Sequence, residues 1–207
     1  NVAPLIQGPG TSRISGRVSN PLSHYFFELP EEFDSVPFKD PMRKGKDAKP
    51  SIIELRGKGG QTVVPPTIHE SGEQIRWEHE GEFGKTTLSE LRSWVAKIAA
   101  AALLIRYWPR GHETRHALAG MVARAGWTEE ATAEFIAAIV RVAQADSCDN
   151  REARADVRNC YARLERDQEV AGWTKLQEQF GENGKMIVRT VSDWLELKRD
   201  SSTAPGL

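Results

Sequence analysis

The sequence has few cysteines, no long apolar run and no excess of charge of one sign, and each of these absences excludes a class of protein. Its longest apolar run, Ile98 to Ile105, is too short to span a membrane, and no signal peptide is visible. The two cysteines, Cys148 and Cys160, lack zinc-finger spacing, which indicates reduced thiols and a cytoplasmic protein. With 28 Lys and Arg against 29 Asp and Glu, charge alone does not indicate nucleic-acid binding. Because the chain begins with Asn, we expect a piece of a longer protein.

Composition divides the chain at Lys85. Residues 1–85 hold 9 of the 11 prolines and 10 of the 17 glycines, whereas residues 86–207 hold 20 alanines. The first pattern is typical of strands and turns, and the second is typical of helices. We therefore predict an α+β protein, with a partial mixed or antiparallel sheet in 1–85, an all-α bundle in 86–200 and a frayed tail in 201–207.

Within the first part, local patterns predict three main strands. Ser23–Leu29 is rich in aromatic residues, and residues 30–50 carry four prolines and many charges, which predicts a long exposed loop. Ser51–Arg56 and Gln61–Val64 are predicted to form a hairpin around the glycine-rich turn Gly57–Gly60.

Within the second part, capping residues and breakers predict a series of helices. Thr87 and Glu90 form a capping box at the start of the first helix, which should run to about Trp108. The other predicted helices are 113–125, one capped by Thr128, about 149–167, a short one capped by Thr174, and 186–198.

Glu54 is the candidate residue for which the sequence suggests the most specific chemical role. On a strand it shares a face with Ile52 and Arg56. It is then either a carboxylate that faces water beside Arg56 on an edge strand, or a ligand that holds a divalent metal through hard oxygen.

Two histidines in the strand region are further candidates. His24 follows Ser23 on a strand, where a histidine beside aromatic residues is either structural or a donor to a phosphate oxygen. His69 lies in a loop rich in turn formers. The Gly57–Gly60 turn contains Lys58 but lacks P-loop spacing, so we interpret it as a hairpin turn.

The helical part offers weaker candidates. His112 and His116 match the HExxH pattern superficially, but no later histidine supplies a third ligand, so we interpret them as a polar helix start. Arg106, Arg110, Arg115 and Arg124, with Tyr107 and Trp108, form either a nucleic-acid backbone contact or a solvated surface. The five tryptophans of this part (Trp94, Trp108, Trp127, Trp173 and Trp194) are interpreted as core anchors.

Two stretches together resemble the primase-polymerase family of the archaeo-eukaryotic primase superfamily. Gly16–Tyr25 is similar to its second motif, in which a small residue precedes a nucleotide-contacting histidine. Ile53–Trp77 is similar to its third motif, which carries an acidic residue on a strand, and to the loop that follows. The resemblance covers about residues 14–80, and the helical part resembles the small domain that follows the catalytic core in such proteins.

The resemblance implies roles for individual residues. Glu54 corresponds to a metal ligand and His24 to the nucleotide contact, and both are the expected catalytic residues. The expected supporting contacts to nucleotide are listed here: Ser23, Arg17, Arg56, Lys58 and His69. The implied cofactor is Mg²⁺ or Mn²⁺, and the implied partners are a single-stranded DNA template, nucleoside triphosphates and a helicase domain in the same parent chain.

One departure from the family pattern concerns its first motif, a D-x-D or D-x-E pair that precedes the histidine motif. Residues 1–22 contain no Asp or Glu, and Glu32 and Asp34 have the spacing but follow His24. The metal site is therefore expected to be incomplete, because nucleotidyl transfer uses two cations held by several carboxylates. The chain is then expected to be the C-terminal part of a catalytic core with its helical appendage.

Three functions compete at this level. The first is a template-dependent nucleotidyltransferase that makes primers and polymerises DNA in replication of a bacterial, plasmid or phage-like element. The second is a non-catalytic helical module that binds nucleic acid or a partner beside an incomplete polymerase fragment. The third is an unrelated α+β domain that binds zinc through the HExxH-like stretch.

Overall fold

A computed structural model describes residues 1–45, 49–109, 111–143 and 150–198. The chain forms two compact units that alternate along the sequence. We call Gln7–Pro37 with Glu54–Val95 the strand unit, and Asn1–Ile6, Phe38–Ile53 and Ala96–Leu207 the helical unit. The predicted α+β class is confirmed. The predicted domain boundary at Lys85 stays a prediction, because the division of the chain into two compact units does not define where a catalytic core ends.

In the described residues, seven short strands form three small sheets. Their bounds are β1 (Arg13–Arg17), β2 (Asn20–Tyr25), β3 (Phe27–Glu28), β4 (Val36–Lys39), β5 (Ser51–Leu55), β6 (Arg76–Glu80) and β7 (Gly84–Lys85). Strand β1 lies between β2 and β6 in an antiparallel sheet, β3 pairs with β7 in parallel, and β4 pairs with β5. The largest of these sheets therefore centres on β1.

The centre of β1 is tightly packed because its residues are small. Ile14, Ser15 and Gly16 are all buried. A Cβ atom on Gly16 would lie 2.8 Å from the backbone oxygen of Asn20 and 2.8 Å from the backbone nitrogen of Leu22. Only glycine lets β2 approach β1 this closely.

The predicted hairpin of residues 51–64 is wrong. Strand β5 pairs with β4, which lies inside the segment 30–50 that was predicted to be a loop, and residues 61–64 form no strand. Gly57 serves close packing instead of a turn, because a Cβ there would lie 2.1 Å from the carbonyl oxygen of Phe33. Its amide donates to Ser35 Oγ at 3.0 Å. The partner of β5 is thus distant in sequence, which local patterns do not reveal.

Six helices account for most of residues 88–194. They are α1 (Leu88–Arg106), α2 (His112–Arg124), α3 (Glu129–Ala143), α4 (Asn150–Glu165), α5 (Trp173–Gln179) and α6 (Gly184–Trp194). The capping box at α1 is confirmed, since Glu90 N–H donates to Thr87 Oγ1 and Thr87 N–H donates to Glu90 Oε2, both at 3.2 Å. Thr128 caps α3 by accepting from Ala131 N–H at 3.2 Å. The predicted cap at Thr174 is wrong, because Gly172 is the N-cap of α5.

The helical unit contains a dense apolar core. Leu103, Leu118, Ile136, Ile139 and Val157 are fully buried. None of the helices in the described part of the chain is both long and apolar enough to cross a membrane. Cys148, Arg110 and the tail 201–207 lie outside the described residues.

Candidate active site

His24 is held on the central sheet by an irregular stretch of β2. It lies opposite Ser15 of β1, and the pairing register shifts between this position and the pair formed by Arg17 and Asn20. Leu22, inside this stretch, has a φ of 51°, a left-handed conformation that is costly for a leucine. Irregularities of this kind re-aim side chains next to functional sites.

The imidazole of His24 is half-buried in an electropositive setting. Burial lowers its pKa below the ordinary 6.5, and the positive charges of Arg56 and Arg17 lower the pKa further. Ser23 Oγ lies 3.1 Å from His24 Nδ1. The ring is therefore favoured in its neutral form, with two arginines close enough to influence it.

Arg17 is fixed by a polar network centred on Glu73, whose role the sequence did not indicate. The Glu73 carboxylate accepts from Ser19 Oγ at 2.6 Å and from Ser19 N–H at 2.8 Å, and it lies 3.1 Å from Arg17 Nε. The hydrogen bonds from Ser19, with that of Ser71 and the charge of Arg17, hold the pKa of Glu73 below its usual value despite its desolvation. Glu73 thus connects the β1–β2 turn to a loop 54 residues away.

His69 belongs to the same network from the loop side. Ser71 N–H donates to His69 Nδ1 at 3.1 Å, and Ser71 Oγ lies 2.9 Å from that nitrogen and donates to Glu73 at 3.2 Å. A backbone donor at Nδ1 favours the tautomer with its proton on Nε2. His69 is therefore joined to Arg17 through Ser71 and Glu73.

Glu54 lies beside Arg56, as the first of the two interpretations expects. Arg56 Nε donates to Glu54 Oε2 at 2.8 Å, and the side chains are 44% and 35% exposed. Arg56 Nη1 also donates to the backbone oxygen of Gln61 at 2.5 Å and to Thr62 Oγ1 at 3.2 Å. The guanidinium is therefore held in place by three acceptors, one of which is Glu54.

Lys58 makes its contacts with a different segment. Its Nζ lies 3.2 Å from Glu32 Oε2, and both side chains are largely exposed. Its backbone forms a bridge to Asp34 and donates to Phe33 O at 2.8 Å. The acidic pair Glu32 and Asp34 is thus anchored at Lys58.

A two-cation centre is not completed by the described residues. In this part of the chain no three side chains of His, Cys, Asp or Glu come close enough together to hold a metal ion. Glu54 alone offers one exposed carboxylate, already paired with Arg56. The described residues therefore do not by themselves complete the Mg²⁺ or Mn²⁺ site that the sequence resemblance implies, and Glu54 as a metal ligand stays a prediction.

The basic cluster of the helical part is mainly structural. Arg106 Nη1 donates to the buried Asp40 at 2.6 Å, and Tyr107 OH donates to the same carboxylate at 2.9 Å. Arg115 donates to Asp156 at 2.6 Å, and Arg124 donates to Val170 O at 2.5 Å. These three arginines hold parts of the fold together, and a contact of the cluster with nucleic acid stays a prediction.

The HExxH-like histidines lie near each other at the start of α2. The rings of His112 and His116 are 5.8 Å apart, and His116 Nε2 lies 3.2 Å from Asp156 Oδ1. They do not form part of any group of three metal-ligating side chains among the described residues.

Comparison with known families supports the resemblance of the strand region. Residues 4–101 match the family described as bifunctional DNA primase/polymerase, N-terminal. This segment is therefore similar to the primase-polymerase family, which is a family of nucleotidyltransferases with DNA and nucleotides as substrates. No match to the chain is found among curated proteins or solved structures.

Proposed function

We propose that the strand unit binds the phosphates of a nucleoside triphosphate at His24 and contributes this site to templated DNA primer synthesis and polymerisation. The observation that carries the proposal is the gathering of His24, Arg17 and Arg56, with both arginines acting electrostatically on the imidazole. A histidine under the influence of two guanidinium groups suits a phosphate, since arginine makes charge-assisted hydrogen bonds to its oxygens. Replication of a bacterial, plasmid or phage-like element, on a single-stranded template and with a helicase domain in the parent chain, is the context we propose.

His24 would act as a neutral donor. When the Ser23 hydroxyl donates to Nδ1, the ring carries its proton on Nε2 and can donate it to a phosphate oxygen. Because Arg17 and Arg56 are already held by Glu73 and Glu54, they are oriented before a ligand arrives, which reduces the entropy lost on binding. Lys58 and His69 would give outer contacts to the same anion.

We propose Glu54 as one carboxylate ligand for Mg²⁺ or Mn²⁺, with further ligands from residues other than those described. To bind a cation, Glu54 would have to exchange its hydrogen bond with Arg56. The 207-residue chain is accordingly expected to show no templated nucleotide incorporation with either ion. Incorporation by this chain, purified free of other polymerases, would show that the catalytic carboxylates are misplaced.

The nucleotide site is tested by binding of a nucleoside triphosphate in the absence of metal. Titration calorimetry on the whole chain should show about tenfold weaker binding for His24→Ala and for Arg17→Ala, since each removes a contact to phosphate. His79→Ala is the matched control, because His79 is an exposed histidine on the neighbouring strand β6. Equal affinity in His24→Ala and the control would assign His24 a purely structural role.

Glu73→Gln tests the positioning of Arg17. It keeps the shape of the side chain but removes the charge that holds Arg17. Nucleotide affinity should fall less than in Arg17→Ala, and the double variant should be no worse than Arg17→Ala alone, since Glu73 acts through Arg17. Additive losses in the double variant would instead mean that Glu73 acts independently of Arg17.

A further inference from the structure

A cavity lies within the helical unit and contains none of the residues of the His24 site. It has a volume of about 590 Å³ and is walled by α2, α4 and the segment that leads into α5. Its apolar lining includes Cys160 and Val170, which are 3% and 7% exposed. The volume falls in the range of small-molecule binding sites.

The polar lining of this cavity is predominantly cationic. Arg163, Arg166 and Lys175 line it together with His112 and His116, against one acidic lining residue, Glu113. Such a lining favours an anionic ligand.

The cationic side chains differ in how far their own neighbours engage them. Arg163 Nη2 donates to Glu169 O at 2.6 Å, and Lys175 Nζ lies 3.2 Å from Glu178. The guanidinium of Arg166 makes no hydrogen bond or ion pair with any residue in the described ranges 1–45, 49–109, 111–143 and 150–198. Arg166 is therefore available to a ligand with all of its donors.

The lining has three cationic side chains against the single carboxylate of Glu113, so its net charge is positive. Asp156, which contacts His116, is itself engaged by the Arg115 guanidinium at 2.6 Å. Glu113 is occupied by Gln179, whose Nε2 donates to it at 3.0 Å. The positive field reaches the cavity floor: burial raises the pKa of the Cys160 thiol, while the charges of Arg124 and Arg163 act against that rise.

Helix α2 adds to this field, because it begins at the cavity wall. Its N-cap is Gly111, and no side chain caps its first turn. No side chain therefore caps the positive end of the helix dipole through a hydrogen bond at the N-cap, and the carboxylate of Glu113 lies in the first turn.

We propose that this cavity binds the phosphate groups of a nucleotide-sized ligand, with Arg163, Arg166 and Lys175 as the anion contacts. Guanidinium groups bind phosphate with two donors at once, and the apolar floor is suited to the remainder of such a molecule. Its concave shape and limited volume favour a mononucleotide or a strand terminus. The proposal uses none of the residues of the His24 site and does not rest on that site's assignment.

The test measures ligand binding to the whole chain carrying Arg17→Ala and His24→Ala, so that binding at the strand unit is suppressed. The probes are ATP, inorganic triphosphate, adenosine, and a single-stranded oligonucleotide with and without a 5′-phosphate. Calorimetry should detect binding of the phosphate-bearing probes and none of adenosine. Binding of ATP and triphosphate would identify free nucleotides as the source, whereas binding of the 5′-phosphorylated strand alone would identify a strand terminus.

Charge reversal locates the site. Arg166→Glu should weaken binding by about tenfold or more, because it replaces, with an anion, a cation that pairs with no other described residue. Arg158→Glu is the matched control, since Arg158 lies on α4, which ends one residue before Arg166, and does not line the cavity. Thermal melts of both variants establish that α4 remains folded. Equal effects of the two variants, equal binding of adenosine, or no binding of any probe would overturn the proposal.

Discussion

The two units of this chain are stabilised in different ways. In the described residues, the largest fully buried side chains all belong to the helical unit: Leu103, Leu104, Leu118, Met121, Val122, Ile136, Ile139, Val140, Val157, Leu176, Ile187 and Val188. The large hydrophobic side chains that are exposed lie mostly in the strand unit: Val18, Val63, Val64, Ile68 and Phe83, with Met186 as the exception.

The strand unit compensates with aromatic contacts and polar networks. Trp94 packs edge-on against Tyr25 and Phe27, and the Arg13 guanidinium lies 4.4 Å from the centre of the Trp77 ring. Polar networks of this kind hold side chains in defined positions without a large apolar core. The unit that carries the candidate active site is thus the less deeply buried one, in keeping with the trade between stability and function.

The largest expected difference between the units is in the cost of removing a core side chain. Ile136→Ala should lower the free energy of unfolding by about 3–5 kcal/mol, because Ile136 is fully buried and the bundle around it cannot collapse. Ile75→Ala in the strand unit, where Ile75 is 4% exposed beside a loop, should cost about half as much. Urea denaturation followed by circular dichroism measures both, and equal costs would show that the strand unit is packed as rigidly as the bundle.

The described part of the helical unit buries four polar or charged residues in its core, and Asp40 is the acidic one. Burial by itself raises the pKa of this carboxyl, but hydrogen bonds from Arg106, Met42 N–H and Tyr107, with the charge of Arg106, outweigh it and lower the pKa. Asp40→Asn should lower the free energy of unfolding by about 2 kcal/mol. The substitution replaces a charged acceptor with an amide whose N–H groups face the donors of Arg106 and Tyr107.

Acid titration sharpens the prediction for Asp40. Since the folded pKa of Asp40 lies below its ordinary value of 3.8, its contribution to stability is present above pH 3.8 and is lost as the pH falls through the folded pKa. The Asn variant should lack this loss. Glu130→Gln is the control, because its pair with Arg154 is exposed and should contribute about 0–1 kcal/mol. If Asp40→Asn and Glu130→Gln lower the free energy of unfolding by similar amounts, the burial of Asp40 does not strengthen its interactions.

The comparison also shows which parts of the fold can be predicted from sequence. The caps at Thr87 and Thr128 are correct because donor and acceptor lie within three residues of each other. The hairpin of residues 51–64 fails because β5 pairs with β4 across the segment that separates them, a contact without a local signal.

The candidate site likewise contains residues that the sequence predicts and residues that it does not. The family-like motifs pointed to His24, Arg17 and Arg56, and the structure places the two arginines close enough to lower the pKa of His24. The sequence analysis did not identify Glu73, because its role depends on hydrogen bonds from Ser19, which lies 54 residues away in sequence. Lys58 was expected near the nucleotide, but its amino group contacts Glu32, and its role in binding stays a prediction.

A smaller effect is expected at the capping box that starts α1. Thr87→Ala removes the acceptor for Glu90 N–H and should lower the free energy of unfolding by about 1 kcal/mol. Ser89→Ala is the control, since Ser89 is exposed in the same helical turn. Hydrogen exchange of the amides in residues 88–92 should rise in the Thr87 variant alone. If exchange there stays unchanged, α1 is held by its packing, and the strand unit depends less on polar contacts than we infer.

The smallest expected effect concerns the pH dependence of the strand unit. The pKa of His24 is lowered by burial and by Arg56 and Arg17, so the unfolded chain takes up a proton below about pH 6.5 more readily than the folded one. Stability should therefore decrease as the pH falls from 6.5 through the folded pKa, and this penalty is absent above that window. The effect is modest because the ring is half-buried and solvent screens part of the repulsion.

His24→Gln should remove this contribution to the pH dependence, so hydrogen exchange of β1 and β2 should rise less between about pH 7 and pH 5 in the variant than in the parent chain. The exposed His79 supplies the control through His79→Gln, which should leave the pH dependence as it is. If His24→Gln and His79→Gln shift the profile equally, the positive charges of Arg17 and Arg56 do not act on His24, and the proposed phosphate site loses its electrostatic basis.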